Sequence, residues 1–176
     1  MRCSPSKSSI LTRGVPGVSD ENSYVMQLCL NELLQNVFEW AHSPVGCMVH
    51  THWYRKTRSV RLAVVDRGIG IPASLRRRQV QALHRANDGD VIVAAVTTSR
   101  LTARANQVGG LGLKTIRGEV CDRGGRLTVI SLGAKVVWSG PKHRQSRSEP
   151  FRGTAIEIDF RPFAPYTDTG SFIPVF

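Results

Sequence analysis

Acidic residues are scarce in this chain: 13 Asp and Glu stand against 24 Lys and Arg, a formal net charge of +11 over 176 residues. An acidic surface is thereby excluded, and an attraction to polyanions such as nucleic acid, an acidic partner or nucleotide phosphates is expected. Cysteine is equally sparse. Cys3, Cys29, Cys47 and Cys121 lie far apart, with no CxxC pair and no Cys/His cluster. That spacing excludes a zinc-ribbon framework and predicts free thiols in a reducing compartment. Long apolar runs are missing too. The longest strongly apolar run, Val91 to Val96, is far too short to cross a bilayer. Met1 to Asp20 mixes Ser, Pro, Gly, Lys and Arg without a signal-peptide core. These absences together predict a soluble, cytoplasmic protein with no membrane contact. No helix-turn-helix, zinc-finger or aromatic-basic motif converts the charge into a nucleic-acid reader, so nucleic acid is an unfavoured partner.

What remains is an ordinary globular composition, 41% hydrophobic and 21% charged, in a length suited to one domain. Residues 1–21 read as a flexible leader, 22–160 as the folded domain and 161–176 as an irregular tail. From Asn22 to His42 the apolar positions Met26, Leu30, Leu33, Leu34, Val37 and Ala41 recur at helical spacing, and Ser43-Pro44 ends the helix. Val45–Tyr54 and Val60–Asp66 read as strands around a polar hairpin loop. The Leu62-Ala63-Val64-Val65 run predicts burial on both faces. A short helix and loop follow Pro72, then helices over about Asp88–Arg104 and Leu111–Cys121. Strands are expected near Arg126–Leu132, Ala134–Ser139 and Thr154–Phe160, with a polar basic loop over Gly140–Arg152. This order predicts an α+β fold: a two-layer sandwich of one mixed β-sheet under a helical layer.

Three constellations carry chemistry. Glu32 and Asn36 lie four residues apart and share one side of the first helix, beside its apolar stripe. A carboxylate there can take a proton, and an amide oxygen is a hard ligand suited to Mg²⁺. Next, Asp66 ends a buried strand and Gly68 and Gly70 follow it, with Ile71 and Pro72 beyond. A buried aspartate needs a hydrogen-bonding partner, and a purine amino group is one, while glycines let a flat base approach the backbone. A local turn capped by Asp66 is the plainer alternative. Third, Gly109-Gly110-Leu111-Gly112-Leu113-Lys114 opens into a helix whose amino end suits phosphate oxygens. It fits neither the Walker pattern nor a Rossmann fingerprint. A hinge before a core helix is the alternative there.

These segments, in this order, resemble the GHKL superfamily of gyrase, Hsp90-type chaperones, histidine kinases and MutL-like ATPases. Asn31 to Asn36 resembles its N box, Asp66 to Gly70 its G1 box, Gly109 to Leu113 its G2 box, and Gly153-Thr154 its G3 pair. The resemblance implies a Bergerat-type fold and the cofactors ATP and Mg²⁺. It implies that Asn36 holds the metal and that Glu32 acts as the catalytic base. Asp66 and Thr154 would bind adenine. Gly68, Gly70 and Ile71 would line the base, and Gly109, Gly110, Leu111, Gly112, Leu113 and Lys114 would meet the phosphates. Residues from about Ala73 to Val108 would form a lid. The compact bacterial signalling type, similar to histidine-kinase catalytic domains and anti-sigma-factor kinases, fits best. Only 31 residues precede Glu32, so the chain is expected to lack its own phospho-acceptor histidine hairpin. The function so implied is an ATP·Mg-binding regulatory protein with weak ATPase or protein-kinase activity and a protein partner, with a homodimer left open. A non-catalytic nucleotide switch and a basic nucleic-acid module are the alternatives. His50 and His52 share a strand face but lack a third ligand. Trp40, Trp53 and Trp138 read as core or rim packing, and Arg76-Arg77-Arg78 as a solvated helix face.

Overall fold

The computed structural model describes residues 20–77, 83–98 and 112–161. The apolar stripe builds helix α1 (Asp20–Asn36), and a π-helical turn, Val37–Ala41, continues it without a break. Val25, Met26, Cys29, Leu33, Val37 and Ala41 are its buried positions, while Leu30 and Leu34 sit half-buried at the flank. His42, with φ 50°, takes the left-handed conformation that stops the helix. Strands β1 (Cys47–Tyr54) and β2 (Ser59–Asp66) follow, then helices α2 (Ile71–Arg77), α3 (Asp88–Thr97) and α4 (Gly112–Cys121). Strands β3 (Arg126–Ser139) and β4 (Lys142–Phe160) complete the described chain.

The sheet has the order β1-β2-β4-β3. The α+β sandwich is as expected, but every pairing among the described residues is antiparallel, so the sheet is not mixed. The helices cover one face. On β2 that face presents Val60, Leu62, Val64 and Asp66, all buried, whereas Ala63 and Val65 are only half-buried on the other. Burial of β2 on both faces is therefore not found, because an antiparallel sheet with helices on one side leaves its second side to water.

The largest departure concerns residues 140–152. They are strand, not loop: β3 and β4 form one long hairpin, turned at Gly140-Pro141 with Gly140 at φ 62°. Likewise β3 is one strand where two were expected. Its register shifts between Ser131 and Ala134, and Leu132 adopts φ 55°. Such a bulge bends the ladder. Beyond it, Ala134, Val136 and Trp138 are buried, while Lys142 to Arg147 opposite them are exposed. A strand without an apolar alternation of its own reads as loop, since its neighbour supplies the burial.

Ion pairs tie the helices together. Arg76 of α2 reaches Asp88 at 2.7 Å and the Ala86 carbonyl at 2.7 Å, so it is a structural clamp and not part of a solvated face. Arg77 is exposed, and Arg78 lies outside the described residues. Arg123 joins Glu119 of its own helix end to Glu21 of α1. Asn87 caps α3 by accepting from the Asp90 amide at 2.9 Å. The thiols of Cys29, Cys47 and Cys121 are free, and burial pushes Cys29 up to about 12; Cys3 lies outside the described residues. His50 and His52 stack at 6.3 Å on the open face of the sheet. Among the described residues no group of three or more His, Cys, Asp or Glu could hold a metal, and no helix is long and apolar enough to cross a membrane.

Trp138 is fully buried behind the bulge, where it anchors the bent half of the hairpin. Trp138→Ala is expected to lower the unfolding free energy by about 3–5 kcal/mol, read from urea denaturation.

Candidate functional site

A cleft opens between α1 with its π turn, α2, α3, the start of α4, and strands β2 and β4. It encloses about 620 Å³, including space open to solvent, and its lining is mostly apolar. Asp66, Asn36, Thr154, Ser74 and the indole of Trp40 are the polar-bearing side chains among its lining residues.

Asp66 ends β2 on the helix-covered face and is 4% exposed. Its Oδ1 accepts from the Gly68 amide at 2.7 Å. The local cap expected as the plainer alternative thus exists, yet the same residue lines the cleft. Burial raises the carboxyl above its ordinary range, and hydrogen bonds from the Gly68 and Thr154 amides partly restore it. Thr154 is the register partner of Asp66 on β4.

Two close backbone approaches hold this corner. A Cβ at Gly153, whose φ is +120°, would stand 2.1 Å from the Asp66 carbonyl oxygen. A Cβ at Gly68 would stand 1.9 Å from the Ala41 carbonyl oxygen, and that same carbonyl accepts from Ile69 N at 2.8 Å. Gly68 therefore serves packing against the π turn and is not among the cleft-lining residues. Gly70, at φ +81°, and Ile71 do line the cleft. Ser131 was not singled out by the sequence. It is fully buried, donates to the Gly153 carbonyl at 2.8 Å and accepts from Ile71 N at 3.0 Å. One hydroxyl thereby links β3, β4 and the start of α2.

At the other part of the cleft, Asn36 lines the wall and its Nδ2 is buried without a hydrogen-bond partner. Gly112, first residue of α4, faces Glu32 and Asn36: a Cβ there would lie 2.5 Å from Glu32 Oε2 and 3.7 Å from Asn36 Nδ2. The structure brings the first and third constellations together at that point. Glu32 itself is half-buried and does not line the cleft. Leu113 lines it, whereas Lys114 is half-buried and is not among the lining residues. Gly109, Gly110 and Leu111 lie outside the described residues, as do residues 78–82 and 99–108 of the expected lid. Its described part includes the end of α2 and all of α3, with Leu75, Val91, Ile92, Ala95 and Val96 buried in the core.

Trp40, Ser74 and Ala95 also line the cleft. Trp40 sits in the π turn four residues after Asn36 and is half-buried at the cleft wall. No pattern in the sequence distinguishes it from a core tryptophan, although its place one turn beyond Asn36 is a usable signal once Asn36 is suspected.

The family model described as histidine kinase-, DNA gyrase B- and HSP90-like ATPase matches residues 21–164. No curated protein matches the chain. Among solved structures, the B-subunit of DNA gyrase from Myxococcus xanthus is 10% identical, with a TM-score of 0.45 over 85% of this chain. The 43K ATPase domain of Thermus thermophilus gyrase B, solved with an aminocoumarin, is 15% identical, with a TM-score of 0.45 over 93% of this chain. The chain spans about 40% of the length of either. With the family model covering all but the two ends, this chain belongs to the histidine kinase-, gyrase- and Hsp90-like ATPases and carries their ATP-binding domain.

Proposed function

We propose that the cleft binds ATP with Mg²⁺ and that the domain is a regulatory ATPase or protein kinase acting on a protein partner in the cytoplasm. The observation that carries the reading is a carboxylate only 4% exposed at the floor of an apolar cleft, beside a threonine. An ionised group in such a place needs a donor, and an exocyclic amino group of adenine supplies one. Asp66 would accept that bond, with Thr154 beside it. Gly70 and Ile71 would face the base, and the flat ring of Trp40 suits stacking.

Asn36 would hold the metal ion. Its buried Nδ2, a donor without a partner, would give its hydrogen to a phosphate oxygen, and its oxygen is of the hard type Mg²⁺ takes. Bound Mg²⁺ would neutralise phosphate charge. The amino end of α4, with Gly112 and Leu113, would receive phosphate oxygens. Lys114, in the first turn, would add charge there, and Gly109, Gly110 and Leu111 would precede it in the same loop. Glu32 would take the proton from a water or an acceptor hydroxyl.

A second reading, a nucleotide switch without turnover, is favoured by one observation. The Glu32 carboxylate is packed at Gly112 and does not open onto the cleft.

Mg·ATP at about 100 times its dissociation constant should stabilise the chain by roughly 2.7 kcal/mol. A melting curve unmoved by millimolar Mg·ATP overturns both readings. Glu32→Ala should retain that stabilisation while ATP turnover falls about 10²–10⁴-fold. Turnover absent in both proteins leaves the switch.

Asp66→Asn should abolish the nucleotide-induced shift and yet leave the nucleotide-free chain at least as stable at pH 7. The sign follows from the raised Asp66 carboxyl. The folded chain holds that proton more tightly, so stability from this group is full below the unfolded value of about 3.9 and is lost as pH rises through the folded value. The advantage of the variant should therefore shrink as pH falls toward 4, which thermal melts across pH will show.

A further inference from the structure

The basic residues around position 142 take no part in the nucleotide cleft. They stand on a strand half whose outer edge is unpaired among the described residues. β4 pairs with β2 only from Thr154 to Phe160, while its first half, Lys142 to Arg147, pairs with β3 alone among the described residues. All six residues of that half are exposed. A strand in this position presents unpaired backbone N–H and C=O groups along its outer side.

The side chains beside that edge are cationic. Lys142 and Arg144 share the face on which Lys135 lies, opposite Ser146, and Arg147 projects on the other face. Gln145, on the face of Arg147, hydrogen-bonds Asp90 of α3 at 3.1 Å and so fixes the strand to the helical layer. The edge is held in place, not merely extended into solvent.

We propose that this edge is a docking site for an acidic, extended segment of a partner protein, added to the sheet as a further strand. Two features select that occupant. The row of backbone groups can be satisfied by another extended polypeptide, and the cations demand that its side chains be acidic at alternate positions, which a strand places on one face. A second copy of this chain would bring Lys142 and Arg144 against themselves, which is repulsive. Nucleic acid would answer the charge, but its phosphates leave the peptide edge unused, and His143, the one aromatic ring among these exposed residues, already lies against Trp138 at 6.0 Å between ring centroids.

The test uses the full chain and a fluorescent peptide of about eight residues alternating Glu and Thr, followed by anisotropy. Two competitors are compared: the same peptide with prolines replacing two threonines, which keeps the charge but removes backbone donors, and an oligothymidylate of equal charge. The Glu-Thr peptide should bind. The proline peptide should bind about tenfold more weakly or worse, as should the double variant Lys142→Glu, Arg144→Glu. That variant should keep the Mg·ATP-induced rise in melting temperature, or, if the chain does not bind ATP, the wild-type melting curve, which shows that it is folded. Absence of peptide binding overturns the proposal. Equal binding of the proline peptide, tighter binding of the oligothymidylate, or indifference to the charge reversals also overturns it.

Discussion

Three backbones meet around Asp66 at distances that only glycine permits. The Ala41 carbonyl presses on Gly68, the Asp66 carbonyl presses on Gly153, and Ile69 donates back to Ala41. These approaches fasten the end of α1 and its π turn to the end of β2, and β2 to β4. Everything that faces the cleft is positioned from that knot. Asn36 and Trp40 are carried on the helix that ends in it, Asp66 and Thr154 on the two strands that cross in it, and Ile71 on the helix that leaves it. Ser131 completes it from behind with two hydrogen bonds. An aspartate buried at such a point is destabilising when ionised, as the upward displacement of its carboxyl indicates. A destabilising group kept at such a point is a pattern common to functional sites.

Much of this corner is legible in the sequence because glycine is informative where backbones touch. Gly68, Gly70 and Gly153 each occupy a position that a side chain would obstruct or strain, and the aspartate before the first two is conspicuous after a run of valines. The stripe of α1 is legible for a similar reason, since its spacing follows directly from helical geometry. Other features leave no such mark. Trp40 and Ala95 use the same apolar chemistry whether they line a cleft or fill a core. Ser131 is one serine among others until its two partners are known. Gly133 reads as a break, and so β3 reads as two strands, whereas the left-handed residue is its neighbour Leu132 and the strand runs on through the bulge. Residues 142–147 read as loop because their partners on β3, not they, carry the apolar alternation.

The unequal treatment of the two faces of the sheet explains where charge can accumulate. One face is spent on the helices and the cleft. The other is half-exposed, and the free half of β4 is fully so. Basic side chains on an unpaired edge oppose edge-to-edge pairing between identical chains, and these are the same residues that would admit an acidic strand. Part of the excess of basic over acidic residues thus stands on an exposed strand portion that lies outside the cleft.

The topology also orders events in time. β3 and β4 are consecutive and turn on Gly140-Pro141, so their contacts require only short loop closures. The pairing of Asp66 with Thr154 joins segments far apart along the chain, with α2, α3 and α4 between them. Long closures are entropically dearer and slower. The hairpin should accordingly form early, and the knot around Asp66 late. A ligand that needs both strands at once has nothing to hold until that last closure, so occupancy of the cleft reports that the whole domain, and not a fragment of it, has reached its final topology.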